Sequence, residues 1–156
     1  MKKCMETDKD NRTKMREKIL NFLKKIDNDL PIPISQKTDL ESYAQKLNDK
    51  ALKITFCEND EIVSMSAGYI NMETRMAFIS IVATLPQYRM MGLGQKVVKT
   101  FIEKSKADNM NGVHLYTHST NEKAIKLYKN LGFVDYNVEE RAGDKHLVYW
   151  LKGDER

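Results

Sequence analysis

Residues 87–95 read Gln-Tyr-Arg-Met-Met-Gly-Leu-Gly-Gln, with Gly92 and Gly94 two positions apart between an apolar run (77–83) and an amphipathic one (93–107). The first run predicts a strand, and the second a helix that buries Leu93, Val97, Val98, Phe101 and Ile102. A strand-to-helix turn of this kind offers bare backbone to a ligand. Its glycines permit close approach, and the unpaired N–H groups of the first helical turn, at the positive end of the helix dipole, suit a phosphate or pyrophosphate. Taken alone, the same turn also reads as an ordinary helix-capping glycine pair.

Two phosphate-binding loops are excluded by the neighbouring residues. A P-loop requires Lys-Ser or Lys-Thr directly after its last glycine, and here Gly94 precedes Gln95-Lys96-Val97. A dinucleotide loop requires a small residue where Val97 stands and an acidic one roughly 20 positions on, where the chain is neutral around Gly112.

At 156 residues the chain is long enough for one domain with a real core, and 41% hydrophobic with 31% charged residues is ordinary for a soluble protein. No apolar run reaches membrane-spanning length, and the basic N-terminus has no apolar stretch behind it, so we expect a cytoplasmic protein without a membrane partner. Cys4 and Cys57, without a secretory signal, are expected as free thiols. The net charge of +4 comes from 26 basic and 22 acidic residues in alternation rather than in a patch, which speaks against nucleic acid. His114 and His118 share a face of one expected strand, but no carboxylate or Cys stands at ligand spacing, so no metal is expected.

The elements that must position the loop follow in order. Residues 1–12 are polar and are expected as a flexible tail, leaving residues 13–156 as the domain. Met15, Ile19, Phe22, Leu23, Ile26 and Leu30 recur at helical spacing, Pro31 and Pro33 then force an extended segment, and Thr38-Asp-Leu-Glu41 reads as a capping box for a second helix burying Leu40, Tyr43, Ala44 and Leu47. Residues 51–57 and 61–70 predict a hairpin, and 76–83 a strand covered on both faces. After the glycine loop and its helix, 113–117 predicts a strand parallel to the last, because a helix separates them. Ser119-Thr-Asn-Glu122 reads as a second capping box, opening a helix that buries Ala124, Ile125, Leu127, Tyr128 and Leu131 and stops at Gly132. Residues 133–138 and 146–151 predict a closing antiparallel pair. The expected fold is a single-domain α/β sandwich, a mixed sheet of about six strands flanked by helices.

Arg89-x-x-Gly92-x-Gly94 together with Asn121-x-x-Ala124-x-x-Leu127-Tyr128-x-x-Leu131-Gly132-Phe133 resembles the two hallmark segments of the GNAT superfamily of acyl-CoA-dependent N-acyltransferases. The resemblance covers residues 62–133; the first 60 residues match loosely, since most members begin with a strand and this chain is expected to begin with a helix. It implies transfer of an acetyl or other acyl group from acetyl-CoA, as co-substrate, to a small primary amine, with a homodimer as one form such a domain adopts. It also implies backbone binding of pyrophosphate by Arg89, Met90, Met91, Gly92, Leu93, Gly94 and Gln95, pantetheine along Val82, Ala83 and Thr84, and an oxyanion donor at the Val82 N–H. Asn121 and Ala124 belong to the same cofactor side, and Tyr128 is the implied acid for the leaving thiolate, although its position also suits a core tyrosine. Ser80 stands where many relatives carry a glutamate as general base. His118, an imidazole of the kind that exchanges protons near neutral pH, is the replacement its position suggests, and an exposed histidine without a role fits equally well. Residues 30–35, 39–47 and 68–71 resemble small bacterial acyltransferases encoded with surface-polysaccharide genes, which implies an amino-sugar acceptor. A non-catalytic acyl-CoA-binding module on the same fold is the alternative.

Overall fold

The computed structural model describes residues 2–4 and 9–152. Seven strands form one sheet in the order β1-β2-β3-β4-β5-β7-β6: Lys2–Lys3, Leu52–Glu58, Glu61–Asn71, Met76–Thr84, Gly112–His118, Val134–Asp135 (β6) and Asp144–Trp150 (β7). Every pairing is antiparallel except β4 with β5. Helices α1 (Lys9–Ile26) and α2 (Leu40–Lys50) precede the main hairpin. Helices α3 (Leu93–Ala107) and α4 (Glu122–Leu131) follow β4 and β5.

Two cores lie against the sheet. On one face Ile19, Phe22 and Leu23 of α1 and Leu47 of α2 close over Met65, Ala67 and Ile81, and on the other Val97, Phe101 and Tyr128 close over Ala77, Ile79, Leu115 and Leu147. Strand β3 is buried from residue 62 to 68 because α1 and α2 cover one face while the Ser66 hydroxyl donates to the Val97 carbonyl of α3 at 2.7 Å on the other. The strand expected to be covered on both faces, β4, instead alternates buried with half-buried residues. Its second face lines a cavity, so an apolar run there reflects a cavity wall as well as a core.

The caps fall later than the capping boxes suggest. Asp39, not Thr38, caps α2, its Oδ2 accepting from the Ser42 N–H at 2.9 Å, and Asn121, not Ser119, caps α4, its Oδ1 accepting from the Ala124 N–H at 3.2 Å. At α2 this follows the usual ranking, in which an aspartate oxygen outranks a threonine hydroxyl at the cap. Gly132 (φ 113°) ends α4 as expected, and the Phe133 N–H closes back on the Tyr128 carbonyl at 3.0 Å.

The N-terminal reading needs correction. Lys2–Lys3 pair antiparallel with Phe56 and Cys57, so the chain begins with an edge strand rather than a helix, and α1 starts at Lys9, inside the expected tail. Residues 1 and 5–8 of that tail lie outside the described residues. Ladder bonds use backbone groups, so a polar dipeptide pairs without announcing itself. This pairing brings the Cys4 and Cys57 Cα atoms to 5.3 Å, and the two cysteines expected as free thiols form a disulfide across 53 positions of sequence. Among the described residues no helix is long and apolar enough to cross a membrane.

Candidate acyl-transfer site

The site begins with an irregularity in β4. Strands β3 and β4 pair in step from Ser64 opposite Thr84 to Ala67 opposite Ile81, after which Gly68 faces Ile79 and Ser80 has no partner. This β-bulge shifts the side-chain alternation: Ala77 and Ile79 pack toward α3 and α4, Ile81 packs toward α1 and α2, and Val82 returns to the α3 side. Only glycine fits opposite, because a Cβ at Gly68 would lie 1.9 Å from the Phe78 carbonyl oxygen.

The bulge coincides with a split in the sheet. Parallel pairing of β4 with β5 runs from Met76 opposite Gly112 to Ile79 opposite Leu115 and stops; beyond it β5 pairs only with β7, through Tyr116–His146 and His118–Asp144. A cleft of about 400 Å³ opens there. Ser80 and Val82 of β4, His118 of β5, and Asn121, Ala124 and Tyr128 of α4 all reach it. Ala83 and Thr84 continue the strand beyond the cleft wall, with the Thr84 hydroxyl 2.8 Å from that of Ser64.

At the end of β4 the glycine turn enters α3 as expected. Met90 (φ 70°) and Gly92 (φ 76°) are both left-handed, Met90 is fully exposed, and Met91 is mostly so. Lys96 is the first amide of the helix with a backbone acceptor, the Gly92 carbonyl at 3.1 Å, and no side chain caps the turn. The N–H groups ahead of it, including those of Leu93, Gly94 and Gln95, therefore remain available. A Cβ at Gly94 would find nothing nearer than 3.7 Å, so its surroundings are roomy. Arg89 is turned inward: its Nε–H donates to the Thr84 carbonyl at 3.1 Å and its Nη2 lies 3.4 Å from Asp29 Oδ2, bracing the loop.

Tyr128 is 6% exposed, its ring tilted against Phe133 at 5.6 Å, and burial drives its phenol pKa well above the usual value. Among the described residues no group hydrogen-bonds its hydroxyl. A phenol that lines a cleft, is protonated at neutral pH and has no protein partner is placed to donate to something bound there. His118 is differently occupied. The Thr120 N–H donates to its Nδ1 at 3.2 Å and the Thr120 hydroxyl lies 2.6 Å from the same nitrogen, so the neutral ring carries its proton on Nε2.

Several site residues escaped the sequence reading. Tyr43, assigned there to a helix's buried face, reaches from α2 to Ser80, hydroxyl to hydroxyl at 2.6 Å, and burial raises its pKa to about 12. Leu30, Pro31, Ile32 and Ile34, between α1 and α2, form an apolar lip. Their proline-enforced extension was the available signal. Phe78 and Tyr116 make an aromatic wall, Arg141 lies over the Tyr116 ring at 3.8 Å, and Asp144 stands beside His118. Behind that wall the His114 Nδ1–H donates to His146 Nε2 at 2.9 Å, and the His146 Nδ1–H to the Val138 carbonyl. Burial, and then its histidine neighbour, push His114 down to about 4; burial also lowers His146. The shared face of His114 and His118 is thus divided, one histidine in this chain of rings and the other bonded to Thr120.

Residues 20–133 match the model of the Acetyltransferase (GNAT) family. An 80-residue stretch is 40% identical to N-alpha-acetyltransferase 30 of Homo sapiens and of Xenopus laevis, covering 51% of this chain but only 20% and 26% of those relatives. Among solved structures, a GNAT-family acetyltransferase from Staphylococcus aureus Mu50 superimposes with a TM-score of 0.74 at 19% identity, covering 95% of this chain and 98% of that one. Aminoglycoside 6'-acetyltransferase type Ii superimposes at 0.76 with 12% identity, covering 94% and 95%.

Proposed function

We propose, for a chain that belongs to the acetyltransferase (GNAT) family, that it transfers an acetyl group from acetyl-CoA to a primary amine. The observation that carries this reading is the split between β4 and β5, with unpaired loop amides at one end and the unpartnered Tyr128 hydroxyl inside it. The amides of residues 90–95 hold the pyrophosphate, the expected Arg89 amide being turned instead to the Pro86 carbonyl at 3.2 Å, and the unpaired edge of Val82, Ala83 and Thr84 takes the pantetheine amides as an added strand. The amine nitrogen attacks the thioester carbon, the Val82 N–H receives the oxyanion, and the C–S bond breaks as the C–N bond is kept. Tyr128 protonates the departing sulfur and recovers a proton from solvent, which takes up the one lost by nitrogen. Because the Arg89 side chain is spent on Thr84 and Asp29, the anion is held by backbone first.

For the acceptor we place an amino sugar first. Phe78 and Tyr116 offer ring faces against which the apolar side of a sugar can lie. A second reading, the α-amine of a peptide, is favoured by the relatives named N-alpha-acetyltransferase and by the apolar lip at Leu30, Pro31, Ile32 and Ile34. In either case His118, if it acts as base, must first free its Nδ1 from the Thr120 contacts or move its ring proton from Nε2 to Nδ1. The test is release of free CoA thiol from acetyl-CoA across amino sugars, peptide α-amines and lysine side chains. Acetylation of one class at rates well above the others is expected. Tight acetyl-CoA binding without thiol release from any class would favour the non-catalytic module.

A further inference from the structure

We propose that the Tyr43–Ser80 hydroxyl pair is the dock for the acceptor amine, and that the amine must arrive there already neutral. The inference rests on the acetyl-transfer reading and deepens it. Ser80 is the residue that the β4 bulge displaces from the ladder, two positions before the Val82 N–H, and it faces the same cleft as Tyr128. A nucleophile held at Ser80 therefore sits on the strand along which the thioester is bound.

Tyr43 completes the pair from across the fold. It stands on α2, 37 positions away in sequence, and its hydroxyl meets the Ser80 hydroxyl at 2.6 Å. Each hydroxyl can donate one hydrogen and accept another, so while one links the pair, Ser80 keeps an acceptor lone pair for an amine N–H or a donor for its nitrogen. Tyr43 is then a positioning residue, acting through Ser80.

Neither hydroxyl is a base near neutrality. Burial holds the Tyr43 phenol at about 12, with nearby Tyr69, whose own hydroxyl is buried without a partner, pushing in the same direction. The other ionisable groups facing the cleft are Lys37 on the lip, Tyr116 and His118 on β5, Arg141 and Asp144 at and before β7, and Tyr128 on α4. Lys37 and Arg141 bring positive charge, and His118, with its Nδ1 taken up by Thr120, turns an Nε2–H donor to the cleft. Asp144 lies two strands from Ser80, on the order of 10 Å at the usual strand spacing, and the sheet is open between them. Among the described residues nothing beside Ser80 is available to strip an ammonium, so the reaction draws on the fraction of acceptor that is free amine.

The experiment is a pH series of kcat/KM for thiol release with glucosamine, alanine amide and an α-blocked lysine amide, amines of different basicity. The expected result is a break at each amine's own pKa, shifting from one amine to the next. Tyr43→Phe and Ser80→Ala should lower kcat/KM by about 5- to 100-fold, the usual consequence of a lost hydrogen bond at a buried site, without moving those breaks, and Ser80→Thr should restore most of the loss. Thermal unfolding of each variant separates this from misfolding, and a folded Tyr43→Phe with unchanged kcat/KM would overturn the pair. A single break shared by all amines would assign a base to the enzyme and overturn the neutral-amine requirement while leaving acetyl transfer intact. No thiol release with any of the three would overturn the acetyl-transfer reading together with this one.

Discussion

The two ends of the cleft are built in different ways. The end we assign to the cofactor is made almost entirely of backbone: the unpaired amides entering α3, the free edge of β4 and one left-handed glycine, all within residues 82–95. The acceptor end is made of side chains drawn from the α1–α2 segment, α2, β4, β5 and the approach to β7. Backbone geometry tolerates changes of side chain, so the first end can stay the same while the second is rebuilt for another amine. Substitutions should therefore divide into those that affect acetyl-CoA and those that affect only the acceptor or the frame that holds it.

The largest expected effect falls where the two ends meet. Tyr128→Phe keeps the ring that packs on Phe133 and removes a hydroxyl that has no protein partner, so the melting temperature should hardly change. Steady-state kinetics should nevertheless show a 10²- to 10⁴-fold fall in kcat with KM for acetyl-CoA little altered. Near-normal kcat, with chemistry demonstrated to limit the rate, would leave Tyr128 a packing residue.

Gly68→Ala attacks the acceptor end through its frame. The added methyl would meet the Phe78 carbonyl at 1.9 Å, and relieving it must displace the bulge that presents Ser80. We expect a loss of about 1–3 kcal/mol in chemical denaturation and a raised KM for the amine. A variant of native stability would show that the bulge has other ways to relax.

Gly92→Val tests the cofactor end in isolation. The position is open but left-handed (φ 76°), a conformation that costs a β-branched residue about 1–2 kcal/mol, so acetyl-CoA affinity by calorimetry should fall about tenfold while acceptor KM stays. Unchanged affinity would remove the loop from the binding site.

The smallest effect concerns the wall behind the acceptor. His114 has a depressed pKa, so as pH falls from 6.5 toward about 4 the unfolded chain takes up a proton that the folded one refuses, and stability is lost across that window. His114→Gln should flatten this part of the stability–pH curve relative to the native protein. An unaltered slope would assign the loss to His146, which burial lowers as well.

Much of this was legible in the residues, and the physical reason is locality. Helix α3, the Gly132 cap and the glycine turn all depend on residues within a few turns of one another, so their spacing specifies them, and the parallel sense of β4 and β5 follows from the strand–helix–strand order of the sequence. The family's two hallmark segments are likewise contiguous, and they make up most of the end we assign to the cofactor. What only the tertiary structure decided is non-local. Lys2–Lys3 become a strand through backbone bonds to β2, and Cys4 finds Cys57 only once that edge has formed. Ser80 leaves the ladder because Gly68 on the neighbouring strand admits a bulge, and Tyr43 reaches it because α2 packs over that face of the sheet. Such contacts join residues dozens of positions apart through packing and register, quantities that no local pattern of residue types encodes.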